Sequence, residues 1–173
     1  MAVRGRPGRG GGDQGAAAVE FALILPLIFV LLMGIINYGL WFSDSISVRQ
    51  GVRESARRVA TVRTAAVGCA GTGMSAVACH TRSQIQEPGT LAYAKVWVAN
   101  AAGVQTETWI RGQAVVVCGM VKATTFTGFA PLPAGGLIKS KTVMSIENVT
   151  PLPTDFKHED PPPTGGDWTW CTA

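Results

Sequence analysis

One apolar stretch, residues 16–42, constrains this chain more than any other feature. Across its length the only charged side chain is Glu20. About 20 apolar residues suffice to cross the hydrocarbon core of a bilayer, so the run reads as one membrane-spanning helix. A carboxylate inside such a segment costs several kcal/mol unless it finds a partner or reaches water. Pro26 removes a backbone donor and crowds the carbonyl of Ala22, which predicts a kink there. Gly34 and Gly39 would let another helix come close, but at a spacing of five they do not form the small-xxx-small pattern.

The flanks qualify this reading. Residues 1–15 are rich in Gly and Arg, have nothing to bury and are expected to be a short, disordered basic leader. A cleaved secretory signal is disfavoured, because the apolar run is about twice a normal signal core and no Ala-x-Ala site follows it. Arginine counts do not settle the orientation: Arg4, Arg6 and Arg9 precede the run, while Arg49, Arg53, Arg57 and Arg58 follow it. All four cysteines lie after the run, which favours an exported C-terminal part and an N-terminus on the cytoplasmic side.

Helical periodicity continues past the run. Val48, Val52, Ser55, Val59, Val62 and Ala66 recur at spacings of three and four, so residues 16–66 are expected to form one long helix. Arg49, Arg53 and Arg57 make an adjacent row, and Glu54 can pair with Arg58 one turn on. The row reads first as a solvated face near lipid headgroups; the sharper alternative is an acidic partner subunit or anionic lipid.

About 130 residues remain beyond residue 45, enough for one small domain. The segments 91–98, 114–121 and 137–147 read as strands. In the last, Ile138, Thr142, Met144 and Ile146 share one face, while Lys139, Lys141, Ser145 and Glu147 share the other. Four cysteines allow three disulfide connectivities. A Cys69–Cys79 bridge would close a Gly- and Ala-rich loop, and a Cys118–Cys171 bridge would tie an irregular Pro/Trp-rich tail to the sheet. Zinc held by Cys69, Cys79 and His80 is disfavoured, since the spacing contains no paired C-x-x-C. The expected fold class is α+β, with a small antiparallel sheet against the exposed half of the long helix.

Nothing in the sequence points to catalysis. There is no G-x-S-x-G elbow, phosphate-binding loop or dinucleotide-binding glycine pattern. No metal or cofactor is expected. Although the net charge is +4, it clusters beside the apolar run rather than along an aromatic-interleaved stripe, which argues against a nucleic-acid partner.

The residues Gly15-Ala16-Ala17-Ala18-Val19-Glu20-Phe21 resemble the processing site of type IV pilin-like precursors. The following Ala-Leu-Ile-Leu-Pro (22–26), Gly-Ile-Ile-Asn-Tyr-Gly (34–39) and Val-Arg-Glu-Ser-Ala-Arg-Arg (52–58) extend the likeness to residue 66. Over that length the chain is similar to the TadE/TadG-like pseudopilins of Tad/Flp-type systems, with Gly51 and Ser55 where Ala and Gly are commoner. The resemblance implies cleavage by a prepilin peptidase between Gly15 and Ala16, with Glu20 and Phe21 at mature positions five and six. The freed α-amino group of Ala16 would then pair with Glu20 of its own or a neighbouring helix. Other implied partners are pilin or pseudopilin subunits, Tad assembly proteins and membrane lipid.

The expected organisation is a leader (1–15), a transmembrane helix (16–42), an exposed helix extension (43–67), a β-rich extracytoplasmic domain (68–150) and a tail (151–173). The expected role is a minor pilin or pseudopilin, anchored once in the cytoplasmic membrane and open to incorporation in a surface pilus. An uncleaved, membrane-anchored binding protein is the rival reading, and a membrane-bound hydrolase a distant third.

Overall fold

A computed structural model describes residues 12–61, 69, 73–87, 90–123, 132–149 and 155–173, with 12–14 described by backbone alone. The fold is α+β, a long N-terminal helix and a small antiparallel sheet. Helix α1 runs Gly12–Thr61 without interruption at Pro26, about 75 Å at 1.5 Å per residue. It begins at Gly12, inside the stretch expected to be disordered. The leader at 1–11 and the continuation through Val62 and Ala66 lie outside the described residues.

Three strands follow the expected pattern: β1 (Leu91–Ala99), β2 (Ala114–Lys122) and β3 (Leu137–Ser145). With β4 (Lys157–Glu159) they form an antiparallel sheet of order β3-β2-β1-β4. On β3 the side chains of Ile138, Thr142 and Met144 are shielded while Lys139, Lys141 and Val143 are exposed, the period-two alternation of a half-covered strand. Strand β2 lacks this alternation because both its faces are covered. Val115, Val117 and Val121 meet the helices on one side; on the other, Val116, Cys118 and Met120 lie under Trp168 and Cys171 of the tail.

A second helix, α2 (Met74–Ile85), occupies a segment that the sequence suggested was a disulfide-closed loop. Its start carries no capping signal: Gly73 has no side chain, and no acidic residue stands in the first turn. The carboxylate of Asp155, some 80 residues away, caps it instead, accepting the Met74 and Ser75 N–H groups at 2.5 and 3.2 Å. The tail differs from expectation in the same way. It supplies β4, paired with β1 through Lys95↔Glu159, Val96↔His158 and Trp97↔Lys157.

Val48, Val52, Ser55 and Val59, the expected buried face of α1, are all buried against the sheet and α2. Gly51 allows α2 to approach. A Cβ there would stand 2.5 Å from Ile85 Cγ2 and 3.0 Å from the Gln84 carbonyl oxygen. Gly51→Ala is therefore expected to lose about 1–3 kcal/mol through overpacking, against about 1 kcal/mol gained in helix propensity. A lowered urea midpoint for the full chain in detergent is the expected readout. An unchanged or raised midpoint would show that α2 shifts away at no cost.

Candidate functional site

The first half of α1 is bare. Every residue from 15 to 32 is exposed, including Phe21, Leu23, Leu27, Val30 and Leu31. A core helix of a water-soluble domain would bury this surface, and contiguous apolar patches of such size mark membrane or protein contact. The helix is long and apolar enough to cross a membrane, and none of its most apolar window is buried within the fold. Eighteen residues rise about 27 Å, close to the roughly 30 Å of a hydrocarbon core.

Gly15, Ala16, Glu20, Phe21 and Pro26 all sit on this bare segment. Ordinary helix geometry sets Ala16 and Glu20 one turn apart. No described group packs near Gly15: no heavy atom outside its own helical surroundings lies within 4 Å of where a Cβ would be. Glu20 is exposed and makes no hydrogen bond or ion pair among the described residues.

From Met33 onward α1 becomes two-sided. Met33 and Gly34 are half-buried, Asn37 is 3% exposed, and Trp41 packs against the main core cluster. Ser45, Val48 and Val52 continue this covered face. On the opposite side, Ile35, Gly39, Phe42 and Ile46 are exposed at alternating spacings of four and three, and Arg49 and Arg53 extend the same stripe. That spacing is a seam fit for packing against another helix. The covered stripe thus reaches about five turns below Val52 into the apolar run.

The basic row is not uniform. Arg57 Nε and Nη2 both donate to the Glu54 carboxylate at 2.9 Å, and Arg58 Nε donates at 2.7 Å. Hydrogen bonds from Arg57 and then Arg58 lower the Glu54 pKa to about 2. Arg49 and Arg53 have no such partner among the described residues. Around the helix from them, Ser47, Gln50, Gly51, Glu54, Gln84 and Glu87 line an open polar cavity of about 210 Å³. Asp44 lies about one turn before Ser47 on α1. Burial, with the nearby Glu87 carboxylate as the lesser cause, raises its pKa.

The sheet domain holds a polar centre that the sequence did not reveal. Asp160, nearly buried, accepts from Arg82 Nη1 at 2.5 Å and from the Ala94 N–H at 2.8 Å. His158 Nε2 lies 3.1 Å from its Oδ1, and its carbonyl oxygen accepts the Trp168 indole N–H at 2.8 Å. These contacts tie the tail to α2 and β1, and they leave the carboxylate little capacity for chemistry. Cys69 is bridged to Cys79, and Cys118 to Cys171. The bridges use both thiols of the zinc alternative. His80 is buried on α2, and burial followed by the Arg58 cation lowers its pKa.

No curated protein and no solved structure gives a significant match to the chain. A family model described as TadE-like protein matches residues 15–57, which cover the bare segment, the two-sided segment and the Arg49–Arg53–Arg57 row. Over those residues, the ones that carry its apolar helix, the chain is similar to that family.

Proposed function

We propose that this protein is a minor pilin or pseudopilin of a Tad-type pilus or secretion system, acting through its helix as a structural or assembly subunit. The observation that carries the reading is a bare apolar segment of α1 whose one charge, Glu20, stands five residues after Gly15 inside the TadE-like match. A prepilin peptidase cuts between Gly15 and Ala16 and removes the leader. Residues 16–42 anchor the mature chain in the cytoplasmic membrane, with the N-terminus cytoplasmic and residues 43–173 outside. The two disulfides suit an oxidising, extracytoplasmic setting.

Cleavage gives Glu20 its purpose. It exposes an α-amino cation four residues away, about 6 Å along the helix, where an ion pair in low dielectric offsets the cost of burying the carboxylate. The partners are other pilin or pseudopilin subunits and Tad assembly proteins, with membrane lipid around the bare segment.

Two variants separate processing from assembly. Gly15→Leu is expected to stay uncut in cells that contain the peptidase. Glu20→Ala is expected to be cut normally yet lose at least tenfold in co-assembly with partner subunits, read by co-purification from membranes. Normal assembly of Glu20→Ala would show the carboxylate to be dispensable. Normal function of an unprocessed Gly15→Leu chain would favour a permanently anchored binding protein instead.

A further inference from the structure

Two sets of charges, one on α1 and one shared between α1 and the segment that follows α2, have no salt bridge among the described residues. Arg49 and Arg53 continue the exposed Ile35–Gly39–Phe42–Ile46 stripe and have no ion pair among the described residues. On a different side of the helix, Glu87 lines the open polar cavity and Asp44 precedes the cavity residue Ser47 by about one turn, near enough to feel the Glu87 charge; neither carboxylate has a salt bridge among the described residues. At 100° per residue, Arg49 and Arg53 point roughly opposite to Asp44 on the helix wheel. The helix therefore carries a basic-and-apolar side, and with Gln84 and Glu87 it forms an acidic, concave side.

We propose that the basic-and-apolar side of α1 docks against the acidic concave side of a second copy of this chain, with Arg49 and Arg53 of one copy set against Asp44 and Glu87 of the next. The proposal rests on the subunit reading above and names its partner. Unlike sides meeting make a heterologous contact, which leaves a free basic side and a free acidic side at the two ends and so can propagate. A symmetric parallel pair is disfavoured, because it would bring Arg49 and Arg53 against their own copies.

The axial register supports the same occupant. Bringing Arg49 of one copy level with Asp44 of the next displaces the helices by five residues, about 7.5 Å. Bringing Glu20 level with the freed amine of Ala16 on the next copy requires four residues in the same direction, about 6 Å. One displacement of slightly more than a turn thus closes both charge pairs, at opposite ends of the apolar stripe. The 210 Å³ cavity is open and lined by Ser47, Gln50, Glu54, Gln84 and Glu87, so an incoming guanidinium finds carboxylate and amide acceptors there.

The test uses full-length copies carrying two different tags, co-expressed with the peptidase and co-purified in mild detergent. Wild-type copies are expected to co-purify. A chain carrying Arg49→Glu and Arg53→Glu is expected to lose at least tenfold in association with itself, and to recover it with a chain carrying Asp44→Arg and Glu87→Arg. In a second measurement, Arg53→Lys is treated with a zero-length carbodiimide. A covalent dimer is expected that disappears when Asp44→Asn and Glu87→Gln are added. Thiol counts on each unreduced variant, expected to find none free, check that the outer domain has folded.

Unchanged association after charge reversal, or no recovery with the reversed partner, overturns the proposal. So does retained self-association with loss only of binding to anionic phosphatidylserine vesicles, which would assign the arginines to lipid. Normal cleavage together with failure of copies to associate would sink this contact while leaving the subunit reading intact.

Discussion

Replacing Asp160 by Ala is expected to destabilise the sheet domain by about 3 kcal/mol, the lower end of the range for breaking a buried ion pair. The lower end applies because Arg82 is 36% exposed and can turn to water, whereas the Asp160 side chain is only 9% exposed. The Ala94 N–H has no such escape: its residue is fully buried in β1, and loss of the carboxylate strands a donor. Asp160→Asn should cost less, since an amide oxygen can still accept from Ala94. Urea unfolding of the full chain in detergent, followed by tryptophan fluorescence, reads both variants. Trp97 and Trp168, buried on the tail-covered face, are the natural reporters. An Asp160→Ala midpoint equal to wild type would show that the tail is held by other contacts.

Removing the Cys118–Cys171 bridge, by Cys118→Ser with Cys171→Ser, is expected to be the largest single perturbation. The bridge spans 53 residues, for which chain entropy alone gives about 4 kcal/mol. Its loss also loosens Trp168 and Trp170 from the sheet face formed by Trp97, Val116 and Met120. The expected result is a lowered midpoint together with rapid proteolysis of the tail, while α1 stays in the membrane fraction. Because Asp160 and Cys171 restrain the same tail, the combined variant should lose less than the sum of its parts. Strict additivity would mean that the two restraints act on independent units.

The sequence makes visible whatever is governed by local period. The bare run and the Val48–Val52–Ser55–Val59 face can be read directly, because burial follows the helical repeat. The alternation of β3 is equally plain, as only one of its faces is covered. Helix α2 and strand β4 were not legible, for a shared reason. The cap of α2 comes from Asp155, and the carboxylate that seats the tail reaches Ala94 from Asp160. These are pairings over tens of residues, and Gly73 or Lys-His-Glu gives no local sign of them. In sequence Arg49, Arg53 and Arg57 form one uniform basic row; only the fold distinguishes them, by pairing Arg57 with Glu54.

Intact mass and N-terminal sequencing of the protein extracted from membranes of peptidase-containing cells test the central claim most directly. The expected result is a chain that begins at Ala16, with no free thiol, four residues before Glu20. A membrane-extracted chain still carrying residues 1–15 would contradict it.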